Sequence, residues 1–80
     1  MSLRLVFLGR LEDVAGCGER EVSGVSSVAE VLSLLEPELA AALNSSKVRL
    51  AVNGKLVTDR GALMLRNGDE LAFLPPVSGG

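Results

Sequence analysis

Alternating apolar and polar positions predict strands near both ends of the chain. In the segment Leu3–Leu8, the side chains of Leu3, Leu5 and Phe7 share one face, because successive side chains of a strand point to opposite sides. Glu70–Leu74 is a second apolar run, and we expect it to form the last strand of the same sheet.

Three further segments predict the rest of the sheet. Glu19–Val22 is polar and typical of an edge strand, which we expect to pair with the first strand. Val48–Val52 alternates apolar and polar residues, and Lys55–Val57 returns after the dipeptide Asn53-Gly54. Both residues of that dipeptide tolerate positive φ, which favours a two-residue hairpin turn. The pattern therefore predicts a sheet of four to five strands.

The strongest helix signal begins at Ser27. Ser27 and Glu30 have the spacing of a capping box, in which each side chain accepts a hydrogen bond from a backbone N–H at the helix start. The apolar residues that follow recur at helical spacing and form one stripe: Val28, Val31, Leu32 and Leu35. Pro37 interrupts this main helix, because proline disfavours helical geometry in the preceding residue. Glu38–Leu43 predicts a short second helical segment.

These elements, in this order, predict an α+β fold. One amphipathic helix can cover one face of a sheet of four to five strands, and 80 residues suffice for one small domain. Two connecting segments, Arg10–Val14 and Arg60–Met64, have weaker helical character. We assign residues 1–74 to the folded domain and residues 75–80 to an extended C-terminal tail.

The composition argues against several classes of function. The chain has no histidine and one cysteine, Cys17, so neither an internal disulfide nor a structural zinc site is expected. A net charge of −2, only two aromatic residues and no basic cluster argue against a nucleic-acid partner. No apolar run has the length of a membrane span or the form of a signal peptide, so no membrane partner is expected. The free thiol favours a cytoplasmic location.

Catalysis by a side chain of this chain has little support. Without histidine the usual general base is missing, and serine or cysteine nucleophiles lose their common partner. The carboxylates of Glu12-Asp13 and Asp69-Glu70 are adjacent in sequence and point in different directions. Cys17 lies between two glycines, and we interpret it as an incidental or partly buried thiol. We expect this chain to bind no cofactor and no metal.

The C-terminal segment is the part of the sequence that suggests chemistry. Its residues are Pro75, Pro76, Val77, Ser78, Gly79 and Gly80. The prolines fix φ and hold the chain extended, whereas the glycines lack a Cβ and permit close approach to the backbone. From Leu74 onward, such a segment reaches at most about 23–25 Å. We expect it to thread into another protein's active site and present the Gly80 carboxylate, which becomes reactive once activated, most simply as an acyl-adenylate.

A second feature predicts docking to another protein. Four apolar residues fall on the sheet face opposite the predicted core: Leu8, Ala51, Leu56 and Leu74. If the first, third and last strands are neighbours, these residues form an apolar cluster at the base of the tail. Small soluble domains seldom leave such a cluster without a partner. Ordinary exposed aliphatic residues are the alternative interpretation.

The tail, together with the preceding Asn67-Gly68-Asp69-Glu70, resembles the C-terminus of the molybdopterin synthase sulfur carriers, the MoaD/ThiS family. The first strand, Leu11–Gly16 and Val52–Gly54 also resemble the family pattern, so the resemblance covers nearly the whole chain. It implies the β-grasp fold of ubiquitin-like proteins, in which the first and last strands lie parallel at the centre of a mixed sheet. The family commonly has Phe before the Pro-Pro pair. This chain has Leu74 there, which changes the shape of that contact.

The resemblance also implies that the protein is the non-catalytic, sulfur-donating subunit of a sulfurtransferase. An E1-like adenylating enzyme activates the Gly80 carboxylate with ATP, and a sulfur donor protein converts it to a thiocarboxylate. Gly80 then enters the large, catalytic subunit of molybdopterin synthase within a heterotetramer. There its sulfur builds the dithiolene on cyclic pyranopterin monophosphate. Leu8, Leu56 and Leu74 match family positions of hydrophobic contact with the large subunit.

Three other functions fit the residues. The first is sulfur carriage for another pathway, such as thiamine or tungstopterin synthesis. The second is a ubiquitin-like modifier, whose Gly80 forms an isopeptide bond with a lysine of a target protein. The third is an ordinary binding module in which the tail has no role.

Overall fold

Five strands form one mixed sheet in the computed structural model, which describes residues 2–45, 47–59 and 63–75. In chain order they are β1 (Ser2–Phe7), β2 (Glu19–Ser23), β3 (Arg49–Val52), β4 (Lys55–Val57) and β5 (Glu70–Leu74). Their spatial order is β2-β1-β5-β3-β4. The polar strand β2 is therefore an edge strand, as the sequence predicts.

The first and last strands occupy the middle of the sheet. β1 and β5 are parallel, with Leu5 opposite Leu71 and Phe7 opposite Phe73. The other neighbouring pairs are antiparallel. Asn53 and the glycine after it join β3 to β4 with φ values of 51° and 86°, the positive angles that the hairpin prediction requires. This is the β-grasp arrangement, and the predicted fold class is confirmed.

The helical layer differs from the prediction of one main helix. The described residues form three short helices of similar length: α1 (Arg10–Ala15), α2 (Val28–Ser33) and α3 (Pro37–Leu43). α2 ends before Pro37, which instead begins α3, at a position where its missing N–H has no helical partner to lose. The helical character predicted for Arg60–Met64 is absent at Leu63 and Met64, and residues 60–62 lie outside the described residues.

The predicted helix start at Ser27 is confirmed, with one shift in its hydrogen bonds. The Ser27 hydroxyl oxygen accepts a hydrogen bond from the Glu30 N–H at 3.2 Å, as an N-cap does. Glu30 Oε1 accepts from the Ser26 N–H at 3.1 Å, one residue earlier than in the usual capping box. Hydrogen bonds to the Glu30 carboxylate, first from the Ser26 N–H and second from the Ser26 hydroxyl, hold the pKa of Glu30 below its ordinary value.

The core lies between the helices and one face of the sheet. The three inner strands supply six buried residues: Leu3, Leu5, Phe7, Leu50, Leu71 and Phe73. The helices add Val31, Leu39 and Leu43, which are also buried. The rings of Phe7 and Phe73 stack, with centroids 5.6 Å apart and an interplanar angle of 8°. The apolar face predicted for the first strand therefore lies in the core.

A polar network ties the β3–β4 turn to the start of β5. Asn53 Oδ1 accepts a hydrogen bond from the Glu70 N–H at 3.0 Å, and Asn53 Nδ2 donates to Asp69 Oδ1 at 3.0 Å. Asp69 Oδ2 accepts from the Arg66 N–H at 2.8 Å. The Asn53 amide first, and the Arg66 N–H second, hold the pKa of Asp69 below its ordinary value. The network therefore anchors the entry into a central strand.

Replacing Asp69 with Asn should lower the free energy of unfolding by at most about 1 kcal/mol near neutral pH. Both carboxylate oxygens of Asp69 accept a hydrogen bond, and the amide of Asn keeps only one of these acceptors. The loss is small because the network is exposed to solvent. The pKa of Asp69 is lower in the folded than in the unfolded chain. The stabilisation is therefore complete above the ordinary value of 3.8 and is lost as the pH falls through the folded value.

Urea unfolding at neutral and at acidic pH measures the difference between wild type and Asp69→Asn. Asp13→Asn is the control, because it removes the same charge from an exposed position of α1. A difference between wild type and Asp69→Asn that stays the same when both are measured well below pH 3.8 would contradict the assignment.

Candidate docking face and tail root

The sheet face that points away from the helices, here called the outer face, carries a row of apolar residues. Val6 of β1 lies opposite Ala72 of β5. Ala72 in turn lies opposite Ala51 of β3, which lies opposite Leu56 of β4. None of these residues belongs to the cluster packed between the sheet and the helices, because side chains alternate between the two faces of a strand. The register therefore builds an apolar band across four strands.

Leu8 and Leu74 extend this band toward the end of the sheet where β5 leads into the tail. Together the six residues form what we call the outer patch: Val6, Leu8, Ala51, Leu56, Ala72 and Leu74. Leu56 is 68% exposed and Leu8 is 40% exposed, whereas Leu74 is half-buried. The three predicted partner-binding leucines thus lie on one face. Leu8 and Leu74 lie at the end where the tail begins, whereas Leu56 is level with Ala72 on the edge strand β4.

The exposure of Ala51 is lower than predicted, because the sequence pattern placed this residue in an exposed apolar cluster. It lies on the outer face but is only 9% exposed, because Leu56 and Ala72 flank its small side chain. Conversely, the predicted cluster omitted Val6 and Ala72. The period of two in β1 and β5 places both on the outer face, so the sequence did contain that signal.

Charged residues occupy the other half of the outer face. Arg4 lies opposite Glu21 of β2 and opposite Glu70 of β5, and its Nε lies 3.7 Å from Glu19 Oε1. Both side chains of that ion pair are 63% exposed, so it adds little stability. A groove of about 320 Å³ lies in this half, beside Arg4 and Glu70. The outer face therefore carries its apolar residues toward the tail end, where Arg49 lies opposite Leu74, and is polar at the opposite end.

β5 delivers the chain to Pro75 at the apolar end of the outer face. The Leu8 N–H donates a hydrogen bond to the Phe73 carbonyl oxygen at 3.2 Å, which continues the β1–β5 pairing beyond β1. The next residue, Gly9, lies so close to Pro75 that a Cβ on it would be 2.9 Å from the proline Cγ. We call Leu8, Gly9, Phe73 and Pro75 the tail root. Sequence reasoning missed Gly9, because this contact joins residues at opposite ends of the chain.

The remainder of the tail, residues 76–80, lies outside the described residues. The roles assigned to five residues therefore stay predictions: Pro76, Val77, Ser78, Gly79 and Gly80. The same holds for the boundary between the domain and the tail.

The described residues contain no group of three or more His, Cys, Asp or Glu side chains that could hold a metal ion. Cys17 is half-buried against the core, and its Sγ lies 3.9 Å from the Ala15 carbonyl oxygen. Its burial agrees with the interpretation as a partly buried thiol. No helix in the described part of the chain has the length and apolar character needed to cross a membrane.

Comparison with known proteins finds relatives that match almost the entire chain. The model of the ThiS family matches residues 5–80. The molybdopterin synthase sulfur carrier subunit of Haemophilus influenzae is 32% identical, over 98% of this chain and 99% of the relative. The crystal structure of small archaeal modifier protein 1 from Haloferax volcanii is 26% identical, with a TM-score of 0.79 and coverage of 100% of both chains.

A further solved structure with this fold is a complex of subunits 1 and 2 of molybdopterin-converting factor from Helicobacter pylori. A chain of that complex has a TM-score of 0.72 and 22% identity to this one, again with 100% of both chains covered. That similarity shows the shared fold.

Proposed function

This chain belongs to the ThiS family, and we propose that it is the sulfur-carrier subunit of a molybdopterin synthase, acting through the carboxylate of Gly80. The observation that carries the proposal is the family match, which extends through the tail to residue 80 and agrees with the name of the Haemophilus influenzae relative. The outer patch supports it, because an apolar surface at the base of the tail suits docking to a partner with its own catalytic residues.

In this proposal, other proteins carry out the chemistry on the tail. An E1-like enzyme joins the Gly80 carboxylate to the α-phosphate of ATP and releases pyrophosphate. Sulfide-level sulfur from a donor protein then attacks the carbonyl carbon and displaces AMP, which leaves a thiocarboxylate. In the large subunit the sulfur passes to cyclic pyranopterin monophosphate, and water restores the carboxylate. Each dithiolene needs two sulfur atoms, which suits a heterotetramer of two small and two large subunits.

The contribution of this chain is to bind and to position. Leu8, Leu56 and Leu74 contact the large subunit and bring the tail to its active site. The prolines keep the segment extended, and Gly79-Gly80 presents a backbone without side chains to a narrow channel. The chain contains no histidine, so the proton transfers of the reaction are assigned to groups of the partner proteins.

Incubation of the wild-type chain with its adenylating enzyme, ATP and a sulfur donor should raise its intact mass by the difference between one sulfur and one oxygen atom. A variant with one alanine appended after Gly80 should show no such shift, because the reacting carboxylate is displaced. Its urea unfolding curve should match that of wild type. Mass spectrometry decides: an unshifted wild-type mass, or a shifted mass in the extended variant, contradicts the proposal.

Leu56→Asp should weaken binding to the large subunit at least about tenfold, because it removes an apolar contact and places a charge in the interface. Leu56 is 68% exposed in the free chain, so the free energy of unfolding should change little. Leu34→Asp is the matched control, since Leu34 is 54% exposed at the end of α2, on the helical layer. Isothermal titration calorimetry measures both affinities. Equal affinities of wild type and Leu56→Asp would exclude Leu56 from the interface.

A second candidate function is favoured by the similarity to small archaeal modifier protein 1. A modifier would use the same adenylated Gly80, with a lysine amine as the nucleophile in place of sulfur. Lysine-linked conjugates in the mass experiment, without a thiocarboxylate, would support this function instead. Sulfur carriage for thiamine or tungstopterin synthesis would give the same mass shift and differ in the molecule that accepts the sulfur.

A further inference from the structure

We propose that Gly9 is a positioning residue that sets the direction in which the C-terminal tail leaves the sheet, because its missing Cβ provides the space in which the Pro75 ring sits. This inference rests on the proposed function, since a carrier tail must bring Gly80 to a reaction centre in another protein. It adds a role for a residue outside both the tail and the outer patch.

The contact between Gly9 and Pro75 leaves no room for a side chain. A Cβ on Gly9 would lie 2.9 Å from Cγ and 3.8 Å from Cδ of Pro75. Carbon atoms in good van der Waals contact are about 3.5–4.0 Å apart. The pyrrolidine ring is tied to its own backbone and cannot rotate away as a flexible side chain can. An alanine at residue 9 therefore has to displace either its own backbone or that of Pro75.

The backbone of Gly9 is held on both sides. On one side, the Leu8 N–H is hydrogen-bonded to the Phe73 carbonyl oxygen at 3.2 Å. On the other, the Leu11 N–H donates to the Leu8 carbonyl oxygen at 3.1 Å, and the Leu11 side chain is buried in the core. Gly9 itself has φ 54° and ψ −129°, as at the first central position of a type II′ turn, where glycine dominates. Displacement should therefore fall on Pro75.

A displaced Pro75 changes where the tail begins. Pro75 is the first residue after β5, and its ring fixes its φ. A small tilt at this residue is amplified at Gly80, because five further residues span up to about 17 Å when extended. Misplacing a reacting group by about 1 Å can reduce a rate about 100-fold. Docking through the outer patch should be affected much less, since the patch lies on the sheet.

Gly16 supplies a control for an alanine at a positive φ away from the tail. It also has a positive φ, 78°, but a Cβ there would meet no atom within 4 Å. Gly9→Ala and Gly16→Ala thus both place alanine where an L-residue is disfavoured, and only Gly9→Ala affects Pro75. Gly9 has ψ −129° and Gly16 has ψ 6°, so alanine is more strained at residue 9. The Pro75→Ala background therefore separates this strain from the clash with the ring.

A double-mutant cycle tests the contact between Gly9 and Pro75. Its variants are Gly9→Ala, Pro75→Ala and the double variant, each assayed as the thiocarboxylated chain together with the large subunit. We expect Gly9→Ala to slow single-turnover sulfur transfer about tenfold or more, with a Kd for the large subunit within about threefold of wild type. If the two substitutions acted independently, the double variant would be slowed by the product of the two single slowing factors. We expect its transfer rate to be higher than that, because removal of the Pro75 ring removes the clash. Gly16→Ala should transfer sulfur at the wild-type rate.

Two results would overturn the assignment: equal slowing by Gly16→Ala, or independent effects of Gly9→Ala and Pro75→Ala. A second measurement needs neither partner nor sulfur. In wild-type protein, NMR should show a nuclear Overhauser effect between the Gly9 Hα atoms and the Pro75 ring, and its absence refutes the contact. If Gly9→Ala does not fold, this spectrum of the wild-type protein still decides. A wild-type chain that shows the contact but never accepts sulfur would refute the carrier function alone.

Discussion

The parallel pairing of β1 with β5 is the interaction on which the other features of the structure depend. It joins the two ends of the described chain, and Leu5, Leu71 and the stacked pair of Phe7 and Phe73 are buried beneath it. Such a contact carries a large loop-closure entropy, which the burial of these apolar side chains offsets. Without this pairing the sheet has no centre, because β2 contacts only β1, and β4 contacts only β3.

Parallel pairing also decides where the functional elements meet. Two parallel strands end at the same edge of a sheet, so the segment after β1 and the segment after β5 leave side by side. Leu8 and Gly9 therefore lie next to Pro75 although they belong to opposite ends of the sequence. The antiparallel strand β3 begins at this edge, which places Arg49 opposite Leu74. An antiparallel pairing of β1 and β5 would send the tail away from Leu8.

Local patterns in the sequence predicted most elements, whereas the tertiary contacts were beyond them. The alternation in β1 and the spacing of Ser27 and Glu30 are properties of neighbouring residues, and both are confirmed. The central position of β5 depends on contacts between residues far apart in sequence, and only the family resemblance predicted it. The helical segments predicted at Arg10–Val14 and Glu38–Leu43 are confirmed as α1 and α3. The main helix is shorter than predicted, because the apolar stripe from Val28 to Leu35 continues past the end of α2 at Ser33.

The candidate site shows the same limit. Period-two alternation is enough to place Leu8, Leu56 and Leu74 on one face, and it would also have placed Val6 and Ala72 there. It could not foresee that Ala51 would be covered by its cross-strand neighbours, since burial depends on strand order. No local pattern could predict the contact of Gly9 with Pro75, because the two residues are far apart in sequence. A glycine before a helix is also common without any such contact.

Sulfur carriage and protein modification, the two functions proposed for this chain, would share an activated Gly80 and diverge at the nucleophile that attacks it. The choice between them is therefore made by the protein that receives the tail. What this chain can control is which protein it binds and where its carboxylate arrives. In these proposals the first depends on the outer patch. Its small alanines at the centre and leucines around them would suit a partner that presents a protruding apolar side chain. The second depends on the tail root, where Gly9 and Pro75 hold the start of the tail. Because these two surfaces have only Leu8 in common, affinity and delivery can change largely independently through their other residues.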